Sequence, residues 1–204
     1  MNVCSDSKKK LELVLSAGLN KIYRSSGEVN WQGCFLVRKA RIEDVTKILD
    51  LLNYFATSNL MLPRGPQYLY ENIRDFVVIT EKPMDCCDDP QEAFFFDPED
   101  PLVACTSLHV LWGDFAEIRA TAVSLDYQKL QLGTILIDYL KEEALKLGIK
   151  TLFTFTLADN FFQKQGFEVR NKSELPSRVW VECSRCPKYF KCDEIGMTYE
   201  LKDA

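Results

Sequence analysis

The amino-acid sequence predicts an α+β fold, a mixed central sheet flanked by helices. Three observations carry that expectation. Strand-like and helix-like stretches are mixed along the chain rather than strictly alternating. Two long apolar stretches, 102–112 and 115–123, are separated only by Gly113-Asp114, a pair suited to a tight turn. The second of these runs through SLDYQKLQLG into a helical stretch, so that a strand feeds directly into a helix N-terminus.

Over residues 8–23, Leu11, Val14, Leu15, Leu19 and Ile22 have the spacing of a short amphipathic helix, which predicts a helical N-terminal extension over residues 1–33. SSGEVN then reads as a loop. CFLVRKA (34–40) reads as a strand and opens the main domain, 34–204. Val45, Ile48, Leu49, Leu52 and Phe55 define a helix over 42–55, with Glu43 and Asp44 in the first turn, where negative charge suits the helix dipole. A second helix spans about Pro66 to Ile73, and FVVIT (76–80) is a buried strand. Residues 81–101, EKPMDCCDDPQEAFFFDPEDP, have no period and are rich in acid and proline, as in an inserted loop. In the helix 134–147, Leu136, Tyr139, Leu140 and Leu147 form the apolar face and Gly148 closes it. TLFTFTL (151–157) is a strand and NFFQKQGF (160–167) a short helix. VWVECS (179–184) and GMTYEL (196–201) read as closing strands.

The chain has 204 residues and a formal net charge of −5, which argues against an electrostatic nucleic-acid binder. No segment is long and apolar enough to span a membrane. The opening MNVCSDSKKK has no signal-peptide core, so a cytoplasmic protein is expected. In a reducing compartment its eight cysteines read as thiols or metal ligands rather than as a disulfide framework. Cys183, Cys186 and Cys192 alone have a metal-like spacing. They would hold zinc only with a fourth ligand from elsewhere, and otherwise pack as buried thiols. His109, the single histidine, lies within a strand and reads as a hydrogen-bonded core residue.

A strand that turns straight into a helix presents unpaired backbone N–H groups to an anion such as a diphosphate. Residues 128–133 and the start of the next helix supply that arrangement, and Lys129 adds a positive charge. On its own the arrangement is common and unspecific. The run Gln128-Lys129-Leu130-Gln131-Leu132-Gly133, however, resembles the coenzyme loop of the Gcn5-related (GNAT) acetyltransferases, Arg/Gln-x-x-Gly-x-Gly/Ala. It comes after Thr121-Ala122-Val123 as it does in the family, and Phe162-Gln163-Lys164-Gln165-Gly166-Phe167 resembles the family's later Tyr-x-x-x-Gly-Phe. Gln131 replaces a glycine of the pattern, and a side chain there resists positive φ. Phe162 stands where many members have a tyrosine that protonates the leaving thiolate.

A wider resemblance, from about residue 36 to 198, is to the short stand-alone N-acetylglutamate synthases of bacterial arginine biosynthesis, which lack an amino-acid kinase domain. It is carried by Leu62-Pro63-Arg64, by Tyr70-Glu71-Asn72-Ile73-Arg74-Asp75-Phe76 and by His109-Val110-Leu111-Trp112. Further matches are Ala116-Glu117-Ile118-Arg119, Lys172-Ser173-Glu174-Leu175-Pro176 and Cys183-Ser184-Arg185-Cys186-Pro187-Lys188, with Cys192-Asp193-Glu194.

The resemblance implies a GNAT fold and acetyl transfer from acetyl-coenzyme A to the amine of a small amino acid, with L-glutamate first. A homodimer is compatible with it, and neither nucleic acid nor membrane is expected as a partner. The coenzyme is expected on Thr121, Ala122, Val123, Gln128, Lys129, Leu130, Gln131, Leu132, Gly133, Thr134 and Asn160. Glu117 is the candidate general base, because an ammonium must lose a proton before it can attack. Alternation places Glu117, Arg119 and Thr121 on one face of their strand, so a plain ion pair between Glu117 and Arg119 is the competing reading. A backbone N–H near Val123 would stabilise the oxyanion if the central strands splay apart there. For the acceptor's carboxylates the candidates are Arg64, Arg119, Lys172, Ser173 and Arg178, with Arg74 weaker. Two alternatives stay open. One is a GNAT acting on another small amine or a protein N-terminus. The other is a coenzyme-binding regulatory module with impaired catalysis, favoured by Gln131 and Phe162.

Overall fold

The computed structural model describes residues 12–15, 21–24, 34–82, 96–171, 174–175, 183–184, 186 and 188–201. The chain forms two compact units, 1–105 with 122–136, and 106–121 with 137–204.

The first unit holds β1 (Glu12–Leu15), β2 (Lys21–Arg24), β3 (Cys34–Lys39), α1 (Val45–Thr57), α2 (Pro66–Asn72) and β4 (Phe76–Lys82), together with the start of β5 (Leu102–Trp112). Its strand order is β1-β2-β3-β4-β5. The first four strands pair antiparallel, with Arg24 opposite Cys34 and Cys34 opposite Lys82. Phe35, Leu36, Val37 and Phe76 through Ile79 are all buried, consecutive residues included. Unbroken runs of this kind mark strands covered on both faces, which is why 34–40 and 76–80 read as apolar blocks rather than alternations. In α1 the buried residues Val45, Ile48, Leu52 and Phe55 make one stripe.

The structure corrects the helical extension predicted over 8–23. Residues 12–15 and 21–24 are strands, paired with each other and, through β2, with β3. Leu11, Leu13 and Leu15 fit a period of two as well as their neighbours fit a helix. The edge of β3 offers backbone partners that a short isolated helix lacks.

The insert begins later than predicted, since β4 runs through Lys82. Residues 83–95 lie outside the described residues, but the returning stretch is tied down. Glu81 N–H donates to the Pro101 carbonyl at 2.9 Å, and Lys47 Nζ donates to the Asp100 carbonyl at 2.8 Å. Lys82 pairs with the Asp100 carboxylate, and the guanidinium groups of Arg38 and Arg41 lie 4.5 and 4.2 Å from the centre of the Phe96 ring. Cys34 is disulfide-bonded, which corrects, for this residue, the reading of the cysteines as thiols or metal ligands.

The second unit continues β5 through the Gly113-Asp114 turn, Gly113 at φ 56°, into β6 (Phe115–Val123). It includes most of α3 (Leu132–Lys146), then β7 (Thr151–Thr156), α4 (Asp159–Lys164), β8 (Glu168–Val169) and β9 (Ile195–Glu200). The order is β5-β6-β7-β9-β8; β7 lies parallel to β6, and β9 runs antiparallel to both β7 and β8. Ile137, Leu140, Leu152, Phe153, Phe162, Phe167 and Met197 are buried, and Phe115 stacks on Phe153 at 4.9 Å. Of the predicted strand 179–184, residues 179–182 lie outside the described residues and Cys183 is not in a strand.

The first unit depends on a buried charge pair. Arg38 grips Asp44 through Nη1–Oδ2 at 2.6 Å and Nη2–Oδ1 at 2.8 Å, and the same Oδ2 accepts the Arg41 N–H at 2.7 Å. Both residues are 3% exposed. Removing one partner strands the other charge in the interior, so Asp44→Ala is expected to cost about 3 kcal/mol of unfolding free energy. A urea titration checks this: the midpoint falls and the slope is unchanged.

Candidate active site

The turn between β6 and α3 starts from a fixed point, Ser124 N–H bonded to the Val103 carbonyl at 2.8 Å. A single 3-10 turn comes next, Leu125–Tyr127. The Tyr127 hydroxyl donates to Glu81 Oε2 at 2.5 Å, and its ring meets Phe35 edge-on. Burial, and then the Glu81 carboxylate beside it, push the Tyr127 hydroxyl up to about 12. The chain therefore enters residues 128–133 from a braced residue.

Residues 129–131 are strained. Lys129 has φ 68° and Gln131 φ 64°, whereas Leu130 and Leu132 do not have positive φ. Alternating signs of φ curl successive N–H groups into a concavity suited to an anion. Residues 128–129 form a hydrogen-bonded turn, and among the described residues no backbone bond of this stretch starts from the N–H of Gln131, Leu132 or Gly133. The first helical bond is Ile135 N–H to the Gln131 carbonyl, at 3.0 Å. Leu132, 2% exposed, anchors the start of α3, while the side chains of Gln128, Lys129 and Gln131 are exposed. The 15-residue α3 adds the positive end of its dipole at the same place. Gln131 thus takes the left-handed conformation that glycine takes in the resembling pattern, at a cost in strain. Gln128 reaches back with Nε2 to the Val123 carbonyl at 3.4 Å. Thr134 is half-buried, and Asn160 is exposed in the first turn of α4.

On β6, Glu117 is 8% exposed; its Oε2 accepts from Arg119 Nε at 2.7 Å and forms an ion pair with Nη2 of the same guanidinium at 2.5 Å. The expected shared face holds for these two, and the ion pair of the competing reading is present. Thr121 Oγ1 bonds instead to Thr106 Oγ1 at 2.8 Å. Between them Ala120 has φ 52°, a break in the strand. The Arg119 carbonyl accepts from the Ser107 hydroxyl at 3.1 Å and from that of Thr106 at 3.4 Å. The parallel register of β6 with β7 ends at Glu117 opposite Phe153, although β6 continues to Val123 and β7 to Thr156. The pairing therefore stops at the candidate base. His109 is buried, with Nε2 3.0 Å from the Ser107 hydroxyl, as expected for a core histidine.

Arg64 belongs to the first unit. Its N–H donates to Asn53 Oδ1 at 2.9 Å and its carbonyl accepts from Asn53 Nδ2 at 3.0 Å, while the guanidinium lies 4.2 Å over the Tyr68 ring. Among the described residues no carboxylate pairs with it. Arg74 is exposed. Lys172, Ser173 and Arg178 lie outside the described residues.

The zinc reading of Cys183, Cys186 and Cys192 gains no support among the described residues. Among the described residues, no group of three or more His, Cys, Asp or Glu side chains is arranged to hold a metal ion, and all three of these cysteines are thiols outside any disulfide. The Cys186 sulfur accepts the Lys188 N–H at 3.4 Å, and Cys192 is exposed. Burial, and next the negative charge of Glu117, raise the Cys183 thiol above its ordinary value, which places Cys183 in the electrostatic neighbourhood of Glu117. Phe162 is 3% exposed and packs edge-on against Phe161 and Phe167. Sequence reasoning missed Asn53, Tyr68, Tyr127 and Ser107. Each acts through particular hydrogen bonds or ring contacts, which no spacing signals.

The family model for the acetyltransferase (GNAT) family matches residues 55–167. An uncharacterized N-acetyltransferase of Chlorobaculum tepidum is 28% identical over 165 residues, 81% of this chain and 96% of the relative. An amino-acid acetyltransferase of Mycobacterium tuberculosis is 30% identical over 150 residues, 74% of this chain and 78% of the relative. The fold is similar to that of N-acetylglutamate synthase from Neisseria gonorrhoeae complexed with coenzyme A and N-acetyl-glutamate. The TM-score is 0.68 at 21% identity, covering 83% of this chain and 35% of the synthase. No described helix is long and apolar enough to cross a membrane.

The conformation at residue 131 has a measurable consequence. Gln131→Gly is expected to keep or raise the melting temperature. Gln131→Val, β-branched at positive φ, is expected to destabilise by about 1–3 kcal/mol. Thermal unfolding of the three proteins side by side measures the difference.

Proposed function

The chain belongs to the acetyltransferase (GNAT) family, and from that premise we propose that it transfers the acetyl group of acetyl-coenzyme A to the α-amino group of an amino acid, with L-glutamate as the acceptor. The observation that carries the coenzyme half is the turn 128–133. The amides of Gln131, Leu132 and Gly133 are not spent on carbonyls of the turn, and its φ alternation suits a diphosphate even with Gln131 in place. Thr121, Ala122 and Val123 lie beyond the last residue of β6 paired to β7, so the pantetheine arm takes the place of a strand there.

The chemistry is a direct transfer. The acceptor's ammonium gives one proton to Glu117, through a water. The amine then attacks the thioester carbonyl carbon, forming the N–C bond as the carbonyl electron pair moves onto oxygen. The oxyanion collapses and breaks the C–S bond, and the second nitrogen proton passes through water to the departing thiolate, so that the coenzyme leaves as its thiol. Arg119 orients the Glu117 carboxylate through its two contacts. A main-chain N–H near Val123 faces the developing oxyanion. Arg64 supplies a cation for an acceptor carboxylate, supported by its stacked guanidinium and by the absence of a protein carboxylate beside it among the described residues. Lys172, Ser173 and Arg178 belong to the same proposal on the sequence resemblance alone. The glutamate assignment draws support from that resemblance, and the amino-acid acceptor from the similarity to the amino-acid acetyltransferase of Mycobacterium tuberculosis.

A second reading is a coenzyme-binding module without turnover. Phe162 favours it, because a buried phenyl ring has no proton for the leaving thiolate, and so does the engagement of Glu117 by Arg119.

A thiol-release assay across amino acids separates the two readings, with release expected to be greatest for L-glutamate. No release above background with any amino acid, alongside a melting temperature raised by acetyl-coenzyme A, would leave the module reading. Glu117→Gln is expected to lower kcat by about 100-fold or more while the coenzyme-induced rise in melting temperature persists. Unchanged turnover in that variant removes Glu117 from the mechanism.

A further inference from the structure

The segment that carries Arg64 is held from both ends. Helix α1 stops at Thr57, where Asn59 takes φ 57° and the N–H groups of Ser58, Asn59 and Leu60 fold back onto the carbonyls of Phe55 and Ala56. This closes the helix in the manner of a left-handed cap. The chain then runs through Leu62 and Pro63 to Arg64, where the Asn53 side chain, one turn before the end of the same helix, meets it. Its amide bonds both backbone groups of this single residue, at 2.9 and 3.0 Å, as a neighbouring strand would. Farther out, the guanidinium rests on Tyr68 of α2, 4.2 Å from the ring centre.

We propose that Asn53 is a positioning residue for acceptor recognition: by clamping the Arg64 main chain to α1 it presets the guanidinium that meets the acceptor's carboxylate. The proposal rests on the reading of Arg64 as the acceptor's cation. A long flexible side chain recognises an anion well only when its freedom is already restricted. Two contacts restrict Arg64, one at its backbone and one at its head. The chemistry of the clamp is specific to an amide. The Arg64 N–H needs an acceptor and the Arg64 carbonyl needs a donor, and Asn53 supplies both on one planar group. A carboxylate there would set oxygen against the Arg64 carbonyl and would also compete with the acceptor for the guanidinium.

The test is steady-state kinetics with L-glutamate and acetyl-coenzyme A on Asn53→Asp, Asn53→Ser, Arg64→Ala and both double variants. The rise in melting temperature with acetyl-coenzyme A checks that each protein is folded, and Asn53→Ser serves where Asn53→Asp does not fold. The expected result is a rise of about tenfold in the acceptor KM for the Asn53 variants, with the KM for acetyl-coenzyme A changing less than about twofold. In the Arg64→Ala background the same Asn53 changes are expected to add less than about twofold, because the group they position is gone. A merely structural role would move both KM values together, or would add its full effect on top of Arg64→Ala; either result overturns the proposal. If Arg64→Ala raises the acceptor KM and the Asn53 variants do not, the Arg64 reading stands and the Asn53 proposal falls. If Arg64→Ala leaves the acceptor KM unchanged, the Arg64 reading itself fails and takes the Asn53 proposal with it.

Discussion

The parallel pairing of β6 with β7 ends at Glu117, and that ending sets the terms for everything proposed about the chemistry. A sheet interior normally spends every backbone N–H and C=O on its neighbours. Here two strands start as partners, run on past the last shared residue and leave a stretch of β6 without its parallel neighbour. Ala120, at φ 52°, is the local cause on the β6 side. A left-handed residue inside a strand interrupts the pleat and shifts the residues after it, as a bulge does. The hydroxyl groups of Ser107 and Thr106 take up the Arg119 carbonyl that the break would otherwise leave without a donor. The defect is therefore supported by its own hydrogen bonds.

Strain recurs at the candidate coenzyme turn. Lys129 and Gln131 both hold positive φ with full side chains, in a turn braced on one side by Tyr127 against Glu81 and on the other by the buried Leu132. Non-glycine residues persist in that region only where the surroundings over-determine the backbone. A glycine would reach the same curvature without the cost. The substitution in the glycine pattern is thus absorbed by anchoring on either side of the turn rather than by a different backbone path.

Charge is handled in two different ways. Arg38 with Asp44, and Lys82 with Asp100, are buried cations paired with carboxylates; they tie β3 to the start of α1 and β4 to the stem of the insert. Arg64 has an aromatic ring and a clamped main chain, and no described carboxylate pairs with it. A paired guanidinium is a structural group, whereas one stacked on an aromatic ring keeps its hydrogen-bond donors for something else.

The sequence by itself determined β3 to β7 and β9 through their apolar runs, the helix stripe of Val45, Ile48, Leu52 and Phe55, and the Gly113-Asp114 turn, because each is written in local periodicity; it missed the two-residue β8 and read a strand through Cys183, which is not in one. It also located the candidate coenzyme turn at 128–133 and the Glu117–Arg119 face, since a strand's alternation is a two-residue rule. Only the tertiary structure decided whether residues 8–23 form a helix or strands, because the edge of β3 is distant in the chain and its hydrogen bonds outweigh a short helical pattern. It alone decided that Gln131 accepts the left-handed conformation. The clamp of Asn53 on Arg64 belongs to the same class: spacing along a chain records which residues can share a face, but two hydrogen bonds across eleven residues exist only once a helix end and a loop have been brought side by side.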